Sequence, residues 1–326
     1  MKEINFSLWC DFLESNFINS QFTELIQNGT INGATSNPSI FKNAICNSTA
    51  YNELKDKFRK KDAKKLYEIL ATNDIKMAAT KLLSNYARGD DGFVSIEVDP
   101  NLILASDIID EGKRLYNAIK MPNVMIKIPA ISPGFEAMSE LMKKGINVNA
   151  TLIFSQSQAD ECLEAFKEGT KKYQKRFPRA TLPQGVISVF VSRFDRLLDD
   201  RLDEKAKYGI YNATNIYNQI QNSNQSNVRT LFASTGVKGD NLTPDYYIKE
   251  LLYPNSINTA PLDTIKAFIA NGDFTPKALP SDEEISKFMA NAKAANIDYK
   301  RVCTDLLDEG LEAFVAAFDE ILVSLL

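Results

Sequence analysis

The sequence predicts an α/β fold of the (β/α)8 TIM-barrel type, one domain over residues 1–326, with a helical insertion at about 38–92 and a C-terminal helical extension at about 281–326. Short β-rich apolar runs alternate with longer stretches whose apolar residues recur at three-to-four spacing. That alternation calls for right-handed βαβ units and a parallel sheet. Eight such runs close a barrel more economically than they fill a doubly wound sheet, which would open on a Gly-rich fingerprint that this chain lacks.

The strands are expected at Ser7–Phe12 (SLWCDF), Gly33–Ser36 after the Asn32-Gly33 turn, Phe93–Val98 (FVSIEV) and Val124–Pro129 (VMIKIP). The other four are Val148–Phe154 (VNATLIF), Val186–Val191 (VISVFV), Thr230–Ser234 (TLFAS) and Ser256–Asn258 (SIN). Helical periodicity covers roughly 17–28, 50–87, 102–119, 134–144, 156–175, 193–207, 212–223, 244–252 and 262–270. The segment 38–92 is too long for one crossover and reads as two or three helices. In the tail, Leu306, Leu307, Gly310, Leu311, Phe314, Val315 and Phe318 share one helical face. The charged run from Asp199 to Lys205 reads as a solvated helix face.

Composition narrows the chemistry. The 326 residues carry 38 Lys+Arg against 42 Asp+Glu, a formal charge of -4, and no histidine. This excludes Ser-His-Asp and Cys-His nucleophile systems, HExxH zinc sites and His-ligated haem. Proton transfer near neutral pH falls to a perturbed Asp, Glu, Lys, Cys or Tyr, or to water. The acidic balance argues against nucleic acid as a partner. Cys10, Cys46, Cys162 and Cys303 are scattered without a CxxC pair, as expected of reduced, mostly buried thiols. No signal-like start or membrane-length apolar run stands out, so the expected location is cytoplasmic.

Barrel chemistry gathers at the C-terminal ends of strands and in the loops that follow. Polar residues that the strands do not need are therefore the candidates: Asp11, Glu97, Lys127, Asn149, Thr151 and Ser188. Lys127 lies between Val124-Met125-Ile126 and Ile128-Pro129, which carries its amine into a poorly solvated place. Desolvation disfavours an ammonium and frees the amine as a nucleophile toward a carbonyl. A buried ion pair or a lysine snorkelling from the strand end fits the isolated strand as well. Asp11 and Glu97 read either as its counter-ions or as the proton-transfer groups of imine chemistry. Asn37-Pro38-Ser39 after the second strand reads as a helix cap or a binding loop. Arg193 is placed to fork onto a phosphate or simply to sit on the surface. Ser234-Thr-Gly-Val-Lys-Gly239 follows strand seven, where barrels often bind phosphate.

Taken together, GATSNPSIF (33–41), SIEVDP (95–100), MIKIP (125–129), NATLIF (149–154), SVFVSR (188–193) and LFASTGVK (231–238) resemble the transaldolase family, in the same order and across roughly 5–325. The resemblance implies transfer of a dihydroxyacetone unit from a ketose phosphate to an aldose phosphate in the non-oxidative pentose phosphate pathway. The donors would be sedoheptulose 7-phosphate or fructose 6-phosphate, and the acceptors glyceraldehyde 3-phosphate or erythrose 4-phosphate. It further implies Lys127 as the Schiff-base residue and Asp11 as the base on the C4 hydroxyl. Glu97, with a water held by Thr151, would serve imine formation. Asn37, Asn149 and Ser188 would hold sugar hydroxyls, and Arg193 the phosphate, helped by Ser234 and Lys238; Thr35 and Phe190 complete the implied substrate site. No metal or cofactor is implied. After Lys127-Ile-Pro-Ala the family commonly has Thr or Ser and then a Gly-aliphatic pair, where this chain has Ile131 and Gly134-Phe135.

The imine route suits a chain without histidine. Breaking C3–C4 leaves an electron pair that a protonated imine absorbs as an enamine, whereas the metal-dependent route typically holds its zinc with histidines. One rival is a fructose 6-phosphate aldolase-like enzyme that releases free dihydroxyacetone. Those relatives are shorter and resemble each other in placing Gln and Tyr where this chain has Glu97 and Phe190. Another rival is a non-catalytic sugar-phosphate-binding barrel with Lys127 as an ion-pair partner. Monomer and homodimer both stay open.

Overall fold

Eight parallel strands close into a barrel in sequence order: β1 Ser7–Cys10, β2 Gly33–Thr35, β3 Val94–Glu97, β4 Val124–Pro129, β5 Asn147–Ile153, β6 Gly185–Phe190, β7 Val228–Ala233 and β8 Ser256–Ala260. The computed structural model describes residues 1–239 and 241–326. Closure is made by β8 against β1, with Ser7 opposite Ile257 and Cys10 opposite Ala260. All eight expected runs form strands, including the three-residue β2. β1 ends one residue before Asp11, and β8 continues two residues past Asn258.

Alternation sorts the side chains into two cores. Val124, Ile126 and Ile128 of β4 face outward into the large cluster between barrel and helices, while Met125 belongs to a second cluster with Trp9, Val186, Leu231 and Ile257. Burial on both faces is why the strands read as near-continuous apolar runs. Trp9 fills the barrel because β2 places a glycine beside it: a Cβ on Gly33 would lie 2.4 Å from the indole nitrogen. Lys127, two residues after Met125, inherits the inward direction.

The 38–92 segment folds as helices Pro38–Asn47, Asn52–Phe58 and Ala63–Ala87. The tail folds as Asp282–Ala294 and Tyr299–Ser324. The stretch expected to be helical over 193–207 is corrected: its helix spans Ser192–Leu198 and gives way to a short 3-10 turn, Asp199–Arg201. The charged run breaks the helix because Asp199 satisfies backbone elsewhere. Its carboxylate accepts the Ala206 N–H at 2.9 Å, and its carbonyl accepts from Lys205. All four cysteines are free, with Cys46 exposed and the other three buried. Among the described residues no helix is long and apolar enough to cross a membrane.

Candidate active site

Lys127 is held in one register layer with a neighbour on each side: Glu97 of β3 and Asn149 of β5. Its amine lies 3.4 Å from Glu97 Oε2 and donates to the Ser36 carbonyl at 3.2 Å. Lys127 and Glu97 are only 5% and 6% exposed, so the pair sits in the barrel wall out of bulk water. Burial pushes the Glu97 carboxyl up to about 7, against the opposing pull of the Lys127 charge. Neither Glu97 oxygen has a well-directed hydrogen bond, and buried Thr151 Oγ1 on β5 has none either.

Asp11 enters from the end of β1, where its N–H still bonds the Ala260 carbonyl of β8. Thr35 Oγ1 lies 2.5 Å from Asp11 Oδ1, to which it donates, and 2.6 Å from Thr259 Oγ1. Burial raises the Asp11 carboxyl above its ordinary value, opposed by the Lys127 charge and the Thr35 hydroxyl. A raised value makes a carboxylate a better base near neutral pH.

Asp11, Thr35, Asn37, Lys127, Ser188, Phe190, Arg193 and Ser234 line one cavity of about 200 Å³, completed by Ser39, Ala233, Thr259 and Phe314. Asn37 serves both of its sequence readings. Its Oδ1 caps the Pro38–Asn47 helix by accepting the Ile40 N–H at 3.0 Å, with Pro38 in the first turn, while the residue lines the cavity. Asn149 lies beneath the wall, accepting from Ser188 Oγ at 2.6 Å and donating to Ser95 Oγ at 3.0 Å. Arg193 is no surface arginine. Its guanidinium stands 5.2 Å from the Phe190 ring centroid, and Nη1 is buried without a protein partner. A half-buried guanidinium that lines a cavity and lacks an acceptor is suited to an anion. Ser234 sits beside it, with its Oγ 3.1 Å from Ser192 Oγ.

Glu97 and Asn149 thus flank Lys127 in one buried layer, Thr151 lies buried two residues further along β5, and most of the other expected residues line the cavity. Lys238 does neither: it is exposed and does not line the cavity. The chain leaves β7 through Ser234 in the left-handed conformation (φ 55°).

Two features escaped the sequence reading. β5 carries a bulge: Ala150 pairs with Ile187 and Ile153 with Val189, so two β5 residues stand against one on β6, and buried Leu152 takes φ 57°. Bulges re-aim side chains beside active sites, and here Leu152 joins the inner cluster one residue after Thr151. The other is Phe314 of the Tyr299–Ser324 helix, whose ring centroid lies 5.7 Å from Lys127 Nζ. The helix comes this close because Gly310, one turn earlier, has no side chain. A Cβ there would lie 2.9 Å from Leu152 Cδ2 and 3.2 Å from Arg193 Nη1.

Similarity to known proteins agrees with this geometry. A sequence model described as Transaldolase/Fructose-6-phosphate aldolase matches residues 8–325. The chain belongs to the transaldolase/fructose-6-phosphate aldolase family. A transaldolase of Campylobacter jejuni subsp. jejuni serotype O:6 is 50% identical over 327 aligned positions, covering 98% of this chain and 99% of its own. A transaldolase of Helicobacter pylori strain P12 is 43% identical over 325 positions, with the same coverage of both chains. Like these relatives, this member of the transaldolase/fructose-6-phosphate aldolase family is an enzyme of the transferase class.

Proposed function

We propose that the protein carries a dihydroxyacetone unit between sugar phosphates as an imine on Lys127. The observation that carries this reading is the buried Lys127–Glu97 pair, 3.4 Å apart, whose lysine lines the cavity that Asp11 and Arg193 also line. The neutral amine attacks the C2 carbonyl of a ketose phosphate. Glu97 relays protons through a water held by Thr151, so that the carbinolamine loses water and becomes an iminium. Asp11 takes the proton of the C4 hydroxyl as C3–C4 breaks, and the electron pair left on C3 is absorbed by the iminium as an enamine. The shortened aldose phosphate leaves, an acceptor aldehyde enters, and the same steps run in reverse. Asn37 and Ser188 hold sugar hydroxyls, while Asn149 fixes Ser188 from below. Arg193 binds the phosphate on its unpartnered Nη1, supported by Ser234.

The cytoplasmic setting rests on the scattered free thiols, which suit a reducing compartment.

Borohydride added with fructose 6-phosphate tests the reading. The expected result is a reduced dihydroxyacetone adduct on the peptide containing Lys127. No adduct, or an adduct elsewhere with activity abolished, overturns the imine mechanism. Transfer to erythrose 4-phosphate, measured beside release of free dihydroxyacetone, distinguishes a transferase from an aldolase.

A further inference from the structure

The cavity wall is built from strand ends and from the loops and first helical turns that follow them, with one exception. Phe314 arrives from the far C-terminal helix and places its ring 5.7 Å from the Lys127 amine. It is 4% exposed, so the ring is a fixed wall and not a loose flap. The helix is seated outside the barrel by Lys42 with Glu320, by Asn101 with Asp319, and by the edge of Tyr67 on Phe318.

We propose that Phe314 determines the fate of the enamine: its ring keeps water from the reactive carbon, so that the three-carbon unit waits for an aldehyde instead of being released. This rests on the Lys127 imine reading. After cleavage the enamine has two exits. In transfer, C3 attacks an aldehyde carbon. In release, C3 takes a proton from water, the hydroxide left behind adds to C2 of the iminium, and the C2–N bond breaks. The products are free dihydroxyacetone and the Lys127 amine, with one water consumed in all. Both exits end with water adding to the iminium at C2, but only release needs a water to protonate C3 before an aldehyde arrives, so an apolar ring over this end of the pocket opposes it selectively. Gly310 eases this approach, since a Cβ there would crowd the ends of the Leu152 and Arg193 side chains.

The test compares free dihydroxyacetone released from fructose 6-phosphate with transfer to erythrose 4-phosphate. Phe314→Ala and the milder Phe314→Val are expected to raise the release-to-transfer ratio by about tenfold or more, the change that 1.36 kcal/mol of barrier difference produces. Phe314→Leu, which still fills the space, is expected to keep the wild-type ratio. Phe318→Ala, on the same helix but outside the cavity, is expected to keep it too. Borohydride labelling of Lys127 in each variant shows that the imine still forms. A labelled alanine or valine variant with an unchanged ratio overturns the role of Phe314 and leaves the imine standing. A ratio raised equally in Phe318→Ala, or in Phe314→Leu, also overturns it, because helix seating or the ring's electrons would then be responsible. Absence of label in the wild type overturns the imine reading itself.

Discussion

Glu97 and Lys127 are register partners on adjacent strands whose charged ends lie 3.4 Å apart inside the barrel wall. The contact is an ion pair at the long end of its range, not a directed hydrogen bond. The amine gives its hydrogen bond to the Ser36 carbonyl, and both Glu97 oxygens remain without one. A buried carboxyl held this loosely can give or take a proton without dismantling a network.

Its titration supplies the first prediction. The folded carboxyl titrates near 7 against an ordinary 4.5, so the native state holds an extra proton between those values. Linkage then makes the Glu97 contribution to stability fall as pH rises across that window, and stay flat on either side. The denaturant midpoint of wild type should therefore fall more across the window than that of Glu97→Gln. Imine trapping should show an inflection near 7 in wild type. Glu97→Gln should lose the inflection and slow by roughly 10²–10⁴-fold. A wild-type trapping rate in the Gln variant refutes the relay.

On the imine mechanism proposed above, Asp11 acts after the imine has formed. Asp11→Ala should leave borohydride labelling of Lys127 intact while C3–C4 cleavage slows by roughly 10²-fold or more, the usual contribution of a positioned base. Single-turnover release of the aldose phosphate measures this step; unchanged turnover removes Asp11 from its role.

The same proposal gives Arg193 the phosphate and not the reacting carbons. Arg193→Ala should raise KM for fructose 6-phosphate about ten- to hundredfold, matching the loss of a charge-assisted hydrogen bond worth about 1.5–3 kcal/mol. Labelling by unphosphorylated dihydroxyacetone should be unaffected. An equal loss for both ligands would place the phosphate elsewhere.

Gly33→Ala tests the packing beneath the site. The new Cβ would lie 2.4 Å from the indole of fully buried Trp9, so one of two strands must shift. Overpacking of this kind costs about 1–3 kcal/mol, to be read as a lowered denaturant midpoint with unchanged slope.

The strands were legible because burial on both faces writes them as apolar runs, and a lysine or carboxylate inside such a run has to be explained. That reasoning reached Lys127, Glu97, Asp11, Thr151 and Asn149. It stopped where periodicity is silent. Phe314 lies on an ordinary apolar helix face, and nothing in the spacing distinguishes a ring facing the core from one facing a cavity. Thr259 was missed because Ser256–Asn258 looked like the whole of β8, whose next residues bond back to β1. The β5 bulge leaves no mark in VNATLIF, since an extra residue in an apolar run is still apolar. Lys238 was expected to help hold the phosphate through the family resemblance, but it is exposed and outside the cavity lining.

The C-terminal helix has a consequence for how the enzyme is made. Asp11 belongs to the first strand, yet the barrel closes only when β8 pairs with it, and Phe314 follows later still. On a ribosome adding about 5–20 residues per second, Asp11 and Lys127 are synthesised well before the ring beside them. The cavity therefore becomes complete only after the Tyr299–Ser324 helix has been made, and a nascent chain stalled before that helix would carry the lysine without its cover.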